Sequence, residues 1–404
     1  MSSSMTVAMR VKLSAMMFIQ FMMLPVWFLP MFPYVNKMAG GAEWAYWCGL
    51  IMALGTLSSS LIGMFADRFL NSEKVLAICN LAGAVLLGYA YTVKDPQTLF
   101  VVLLLTMLFY MPTWSLTATI AMSNSTTAAF PQIRVFGSLG WVASAIFSVV
   151  GVKVLGIESF DSTPYIFLGG AIASLLGVVI ALALPPTPPK AKGTPMSIVD
   201  ALGLRALSLF KNAEFAFFAV MILLAMVPFM WYMAYGTSYL DSKGYKFLTL
   251  TMNLGQALEI GFMLLIPMIL KRAGYKWAMV IGLVALTVRY AAFYAGAKYG
   301  IAAADIAGIL VHGLIFGLLV VGAQMYVDAK APAELRSQAQ GLMGLIMFGF
   351  GAVISNTVFD TLIRKATVDG KCDWSQPYLV AFVFPLVLAI AMALFFNPKK
   401  EKEA

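Results

Sequence analysis

Apolar segments of about 20 residues, separated by short polar loops, recur along the whole chain. A helix of about 20 apolar residues is long enough to span the hydrocarbon core of a bilayer. The pattern therefore predicts twelve transmembrane helices, at 13–34, 44–65, 74–93, 97–119, 132–154, 163–184, 213–238, 247–270, 277–296, 301–325, 337–361 and 377–396.

A long polar segment interrupts this pattern at residues 185–212, which read PPTPPKAKGTPMSIVDALGLRALSLFKN. It opens with proline and lysine and continues as an amphipathic segment, which is typical of a chain that lies along a membrane surface. The interruption predicts an N-terminal six-helix bundle (1–184), a cytoplasmic linker (185–212) and a C-terminal six-helix bundle (213–404). Similar stretches six spans apart, FADRFLNSEKVLAICNLAGAV and MILKRAGYKWAMVIGLVALTV, indicate duplication. Two related bundles around a central cavity are typical of secondary transporters, which bind substrate near the midplane.

The composition fits an all-α polytopic membrane protein. Hydrophobic residues make up 61% of the chain and charged residues 11%, whereas soluble domains average about 45–50% and about 25%. The net charge of +9 is assigned to cytoplasmic loops rather than to a nucleic-acid surface, because those loops hold the larger share of the Lys and Arg residues. This bias predicts that both termini lie in the cytoplasm. We expect a monomer embedded in the lipid bilayer of a bacterial inner membrane.

The sequence lacks the patterns of an enzyme or a metalloprotein. The three cysteines show neither CxxC nor zinc spacing. The chain has one histidine and no nucleophile elbow, Walker A loop or His-Glu-x-x-His motif. No catalytic residue, metal site or cofactor is therefore predicted, and transport would run on an ion gradient or downhill.

One carboxylate, Glu259, stands inside the apolar segment NLGQALEIGFMLLIP. Gln256 precedes it by three residues and shares its helix face. Ionisable groups at bilayer depth are costly and usually line a polar cavity or pair with another group. Two interpretations stay open: a cavity group that binds substrate or carries a proton, or a structural ion pair with Arg289, which lies at similar depth.

Two further groups of polar and aromatic residues lie within predicted spans. Arg134, Ser138 and Trp141 fall on one face of the fifth span and suit a polar, ring-bearing ligand. The alternative is that Arg134 extends to the membrane interface. His312 and Phe316 form a pair one helical turn apart in the tenth span. There the histidine either carries a proton or bonds a neighbouring helix.

The loop GMFADRFLNSEK joins the second and third spans and resembles the signature loop of the major facilitator superfamily. Gly63, Asp67 and Arg68 match that signature, whereas its second basic cluster is reduced to Lys74. The resemblance implies a gating clamp, in which Asp67 faces a helix N-terminus and Arg68 forms an ion pair. The alternative is an ordinary charged loop.

Stretches across most of the chain resemble the nucleoside:proton symporter family of that superfamily. They are ADRFL, FYMPT, FPQIRVFGSLGW, LFKN, QALEIGFMLLIPMILKRAGYK, VHGLIFG and LRSQAQG. The resemblance implies a twelve-helix major facilitator fold that imports nucleosides, with proton cotransport, by alternating access. It also implies that nucleoside binds at Arg134, Ser138, Trp141, Gln256, Glu259, His312 and Phe316.

The chain departs from the family in two places. The family usually has an aspartate, tied to proton coupling, where this chain has Gly317. Met230 and Met233 stand where characterised nucleoside carriers offer amide side chains. Proton coupling would then fall to Glu259 or His312, or the protein would be a uniporter. A carrier for another polar metabolite, such as a sugar, nucleobase or muropeptide fragment, stays open, as does a membrane sensor that does not transport.

Overall fold

The structure is a computed structural model that describes residues 5–126, 129–189, 204–332 and 335–398. Helices dominate it. The α-helices are α1 (Val7–Trp27), α2 (Met31–Lys37), α3 (Gly41–Arg68), α4 (Ser72–Ala90), α5 (Pro96–Ser123), α6 (Phe130–Ala143), α7 (Ala145–Lys153), α8 (Tyr165–Leu182), α9 (Ala213–Ser242), α10 (Leu248–Tyr299), α11 (Ala302–Leu310), α12 (His312–Ile315), α13 (Gly322–Lys330), α14 (Arg336–Gly344), α15 (Gly351–Ala366) and α16 (Ser375–Phe395).

Shorter elements complete the described chain. Two 3-10 helices cover Phe160–Ser162 and Leu204–Lys211, and two π-helical turns cover Phe316–Val321 and Leu345–Phe350. Strands β1 (Thr367–Val368) and β2 (Lys371–Cys372) pair in antiparallel fashion. The all-α membrane class predicted from the sequence is confirmed.

Among the described residues, 11 helical segments are long and apolar enough to cross a membrane. They correspond to the predicted spans except the eighth, 247–270. That span is the first limb of α10, and the predicted ninth span is its second limb. Gly274 separates the limbs with a φ of 69°, a left-handed conformation that glycine adopts without steric cost. Eleven of the twelve predicted spans are thus confirmed as candidates.

The chain divides into two compact units. The first comprises Met1–Ser197 and Ala234–Asn253, and the second comprises Ile198–Met233 and Leu254–Ala404, as far as these ranges are described. Residues 190–203 of the predicted linker lie outside the described residues. The predicted division into 1–184, 185–212 and 213–404 stays a prediction.

Within the first unit, α1 and α6 pack closely around Gly140. A Cβ at this position would lie 1.9 Å from the carbonyl oxygen of Phe18. Only a residue without a side chain allows the two backbones to approach so closely. A hydrophobic cluster lies beside this contact and includes Leu13, Met17 and Ile133.

Candidate functional site

A cluster of polar side chains lies in the second unit, within segments that the sequence predicts to cross the membrane. Gln256 and Glu259 come from the first limb of α10, and Arg289 from the second limb. His312 begins α12 and Phe316 begins the π-helical turn that follows. Such turns are frequent at functional sites, because the extra residue redirects neighbouring side chains.

Glycines bring the helices of this cluster together. A Cβ at Gly313 would lie 2.3 Å from Glu259 Cα, and a Cβ at Gly255 would lie 2.7 Å from His312 Cβ. Side chains at either position would therefore force the backbones apart. The two glycines place the imidazole directly against the helix that carries Gln256 and Glu259.

His312 lies at the centre of the cluster. Its Nδ1 is 2.9 Å from Arg289 Nη2, and its Nε2 is 3.4 Å from Gln256 Nε2. The same Nε2 is 3.8 Å from Glu259 Oε2, and the glutamate side chain is 12% exposed. Arg289 therefore reaches the carboxylate through the imidazole, a more indirect arrangement than the predicted ion pair.

The environment of Arg289 is unusual for a cation because the residue is fully buried. Its Nε donates to the carbonyl oxygen of Gly308 at 3.1 Å, and its guanidinium carbon lies 4.0 Å from the centroid of the Tyr232 ring. Its Nη1 has no hydrogen-bond partner among the described residues. A carbonyl, an imidazole and an aromatic face thus replace water around this charge.

Aromatic rings border the histidine on two sides. The ring of Phe229 lies 5.7 Å from that of His312, and the ring of Phe316 lies 6.2 Å away. Their faces can stack on a ring-bearing ligand. The sequence analysis missed Phe229 and Tyr232, although both flank the methionines considered there and lie three residues apart on α9.

The predicted Arg134 group lies in the first unit. The Arg134 guanidinium carbon is 4.2 Å from the centroid of the Phe21 ring, and the residue is half-buried. Ser138 and Trp141 are partly buried on the same helix. The indole Nε1 of Trp141 is buried and lacks a hydrogen-bond partner among the described residues. An unsatisfied buried donor of this kind is costly unless it meets an acceptor, which a bound ligand would provide.

A buried polar network beside this group was not predicted. Gln20 Nε2 donates to Thr113 Oγ1 at 2.8 Å, and Asn80 Nδ2 donates to Gln20 Oε1 at 3.1 Å. The Tyr110 hydroxyl donates to the Gln20 carbonyl oxygen at 2.8 Å. The sequence could have indicated this network, because Gln20 and Asn80 are polar amides inside apolar segments. The same reasoning identified Glu259.

The predicted gating residues lie at the end of α3. Gly63 is half-buried, Asp67 is exposed, and Arg68 is half-buried in the last turn. The buried anchor of this region is Glu73, which the sequence analysis did not single out. Its carboxylate accepts from Thr187 N at 2.7 Å and from Asn71 Nδ2 at 3.0 Å. Glu73 therefore joins the start of α4 to the chain that follows α8.

No group of three or more His, Cys, Asp or Glu side chains that could hold a metal ion occurs among the described residues.

Comparisons with known proteins agree with one another. A family model described as nucleoside H+ symporter matches residues 5–401. The putative nucleoside transporter YegT of Escherichia coli (strain K12) is 36% identical over 401 residues, covering 96% of this chain and 93% of that protein. The xanthosine permease of the same organism is 30% identical over 424 residues, covering 99% and 98%. A crystal structure of the nucleoside transporter NupG has a TM-score of 0.83 at 27% identity, covering 97% of this chain and 100% of that chain.

Proposed function

Because the chain belongs to the nucleoside H+ symporter family, we propose that it imports nucleosides together with protons by alternating access. The observation that carries this proposal is the cluster of a carboxylate, an amide and an imidazole in the second unit, bordered by aromatic rings. Polar groups within membrane spans are costly and persist where they bind substrate or ions. The names of the relatives, a nucleoside transporter and a xanthosine permease, support the same class of cargo.

The side chains of the cluster suit the parts of a nucleoside. Glu259 and Gln256 can bond the ribose hydroxyls or ring nitrogens, and His312 adds a further polar contact. Phe316 offers a face for stacking on the base. In the first unit, Arg134, Ser138 and Trp141 supply a cation, a hydroxyl and an indole N–H, which we propose as further binding groups.

We assign the transported proton to Glu259. The position where the family usually has an aspartate is Gly317, and a Cβ there would lie 2.6 Å from Ile266 Cδ1. Ile266 is buried, so it occupies the space that an aspartate side chain would need. Glu259 is the carboxylate of the cluster, and carboxyl groups within membrane spans commonly serve as proton relays in transporters.

The remaining parts of the proposal concern the setting of the protein. It is a monomer of the bacterial inner membrane, with both termini in the cytoplasm and with no nucleic-acid partner. The distribution of Lys and Arg among the predicted loops supports this orientation. Gly63, Asp67 and Arg68 act as a gating element, and transport requires no catalytic step.

The cargo is tested by uptake of radiolabelled uridine into proteoliposomes with an imposed pH gradient. Unlabelled nucleosides should compete, whereas sugars, nucleobases and muropeptide fragments should not. Absence of uridine uptake, with saturable uptake of one of those solutes instead, would establish a carrier for a different metabolite. Saturable nucleoside binding without accumulation, with or without the gradient, would instead indicate a sensor.

A further inference from the structure

The contacts of His312 determine which of its ring nitrogens carries a hydrogen. Arginine has five N–H donors and no acceptor. Arg289 Nη2 lies 2.9 Å from His312 Nδ1, within hydrogen-bond distance. Since the guanidinium can only donate, Nδ1 must accept and carries no hydrogen. A neutral imidazole has one N–H, so the hydrogen lies on Nε2.

The side-chain amide of Gln256 is compatible with the same tautomer. Its Nε2 faces His312 Nε2 at 3.4 Å, while its Oε1 is buried without a hydrogen-bond partner among the described residues. The two ends of a glutamine amide are assigned from the surrounding hydrogen bonds rather than observed. Rotating the amide by half a turn places Oε1 opposite Nε2–H, where it can accept that hydrogen.

The surroundings of Arg289 hold its guanidinium in place. The Gly308 carbonyl accepts from Nε, and Tyr232 covers the cation with its ring. Tyr290, the other titratable side chain beside it, donates its hydroxyl hydrogen to the Pro228 carbonyl. The remaining ionisable group against the histidine is Glu259, on the opposite ring nitrogen. The donor to Nδ1 is therefore built into the fold.

We infer that Arg289 is a positioning residue that holds His312 neutral with its hydrogen on Nε2, so that the histidine is a fixed donor beside Glu259 and does not carry the transported proton. This assignment replaces the structural ion pair expected for Arg289 and removes His312 from the two predicted proton sites. Its consequence for binding rests on the proposed function. His312 Nε2–H then holds the Gln256 amide in place, and Glu259 remains the acceptor that a substrate hydroxyl can reach.

The test is ¹⁵N NMR of the purified full-length protein, labelled on the histidine ring and carrying a histidine-free affinity tag. The chain contains a single histidine, so the spectrum reports His312 alone. Two-bond couplings to the ring C–H hydrogens tell the two nitrogens apart. We expect an unprotonated Nδ1 and a protonated Nε2, unchanged from about pH 5 to about pH 8. A hydrogen on Nδ1, or a ring that gains a second hydrogen in that range, would overturn the inference.

Three variants test whether Arg289 causes this state. Arg289→Met removes the donor to Nδ1 and should give a ring that averages its two neutral tautomers. Arg289→Lys retains one charged donor and should restore the wild-type spectrum, and it also serves if Arg289→Met does not fold. Arg272→Met removes an exposed arginine from the same helix and should leave the spectrum unchanged. A wild-type spectrum in Arg289→Met would refute the positioning role.

A transport measurement complements the spectra. Initial-rate uptake by Arg289→Met should fall below that of wild type and Arg289→Lys, because the imidazole beside Glu259 is no longer held in one tautomer. Uptake by Arg289→Met at the wild-type rate would contradict the role of Arg289 in transport. Because the spectra need no substrate, failure of nucleoside uptake in the wild type would refute the proposed function and leave the inference about Arg289 to the spectra.

Discussion

At the scale of single residues, glycines determine how closely the polar groups of the second unit approach. Gly313 lies against the backbone of Glu259, and Gly255 lies against His312. Glycine in the middle of a helix lowers stability by about 0.5–1 kcal/mol relative to alanine. Here the two glycines let the helices approach closely enough for the imidazole to contact Gln256 and Arg289.

Replacing Gly313 with alanine tests this geometry. The added methyl group must displace the Glu259 backbone, and such overpacking costs about 1–3 kcal/mol. We expect nucleoside uptake to fall well below that of wild type, because the displaced Glu259 backbone moves its carboxylate away from His312. The measurement is initial-rate uptake in proteoliposomes with matched protein content.

The control for Gly313→Ala is Gly341→Ala in α14. A Cβ at Gly341 would meet no atom within 4 Å, so this variant should retain wild-type uptake. Equal uptake by both variants and wild type would show that the close approach at Gly313 has no part in transport.

Some residues of this cluster could be identified from the sequence, whereas others could not. Glu259 could be selected from the sequence because an isolated carboxylate in an apolar segment needs a reason to be there. The contact of Arg289 with His312 could not, because it depends on how the second limb of α10 lies against α12. Phe229 and Tyr232 were missed for a related reason: aromatic residues in a membrane helix resemble ordinary core until their neighbours are known.

At the scale of elements, the start of α10 depends on a side chain from a distant loop. Asp161 follows α7 and is buried. Its Oδ2 accepts from Thr249 N at 3.0 Å and from Ser148 Oγ at 2.9 Å, and its Oδ1 accepts from Thr249 Oγ1 at 3.0 Å. The carboxylate thus satisfies an N–H group at the N-terminus of α10, as a capping side chain does. Burial raises the pKa of Asp161, against the opposing effect of these hydrogen bonds.

Removing this contact should destabilise the first unit. Asp161→Ala leaves a buried N–H and two hydroxyl groups without their acceptor, at a cost of about 1–3 kcal/mol for each unsatisfied group. Asp161→Asn retains one acceptor oxygen and resembles the neutral acid that burial favours, so its effect should be smaller. The apparent melting temperature in detergent should decrease in the order wild type, Asn, Ala.

Glu158→Ala is the matched control for Asp161, because it removes an exposed carboxylate from the same loop. Its melting temperature should equal that of the wild type. If Asp161→Ala had the same melting temperature as Glu158→Ala, the contact to Thr249 would contribute nothing to stability.

Two exposed aspartates at helix starts predict the response to acid. Asp95 Oδ2 accepts from Thr98 N at 2.7 Å at the start of α5, and this bond lowers the pKa of Asp95. Hydrogen bonds from Ser375, at the start of α16, lower the pKa of Asp373. A carboxyl group with a lowered pKa contributes stability above its unfolded value of about 3.9 and loses it as the pH falls through the folded value.

The double variant Asp95→Asn/Asp373→Asn should therefore lose less thermal stability than wild type as the pH falls below about 5. Glu158→Gln, which removes an exposed charge without a cap, should follow the wild-type curve. Parallel acid curves for wild type and the double variant would contradict the capping role.

The spans could be predicted because their signal is local, whereas their internal breaks could not. A window of about 20 apolar residues identifies a span without knowledge of its neighbours. The π-helical turns at Phe316–Val321 and Leu345–Phe350 lie within continuous apolar sequence, and no proline marks them. The break between the limbs of α10 at Gly274, by contrast, falls within Lys271–Lys276, which reads as a polar loop in the sequence.

At the scale of the whole molecule, the candidate groups divide between the two compact units. Arg134, Ser138 and Trp141 belong to the first unit, whereas Gln256, Glu259, His312 and Phe316 belong to the second. Residues Ala234–Asn253 belong to the first unit. Thr237 Oγ1, which donates to the Leu29 carbonyl oxygen at 2.6 Å, is one of their contacts with it.

The central claim is that Glu259 couples proton movement to nucleoside transport. Its most direct test is accumulation of radiolabelled uridine by Glu259→Gln proteoliposomes under an inward pH gradient, compared with exchange in the absence of a gradient. Glu43→Gln, which alters an exposed carboxylate, should accumulate uridine as wild type does. We predict that Glu259→Gln abolishes gradient-driven accumulation while part of the exchange activity remains, and gradient-driven uptake at the wild-type rate in this variant would contradict the claim.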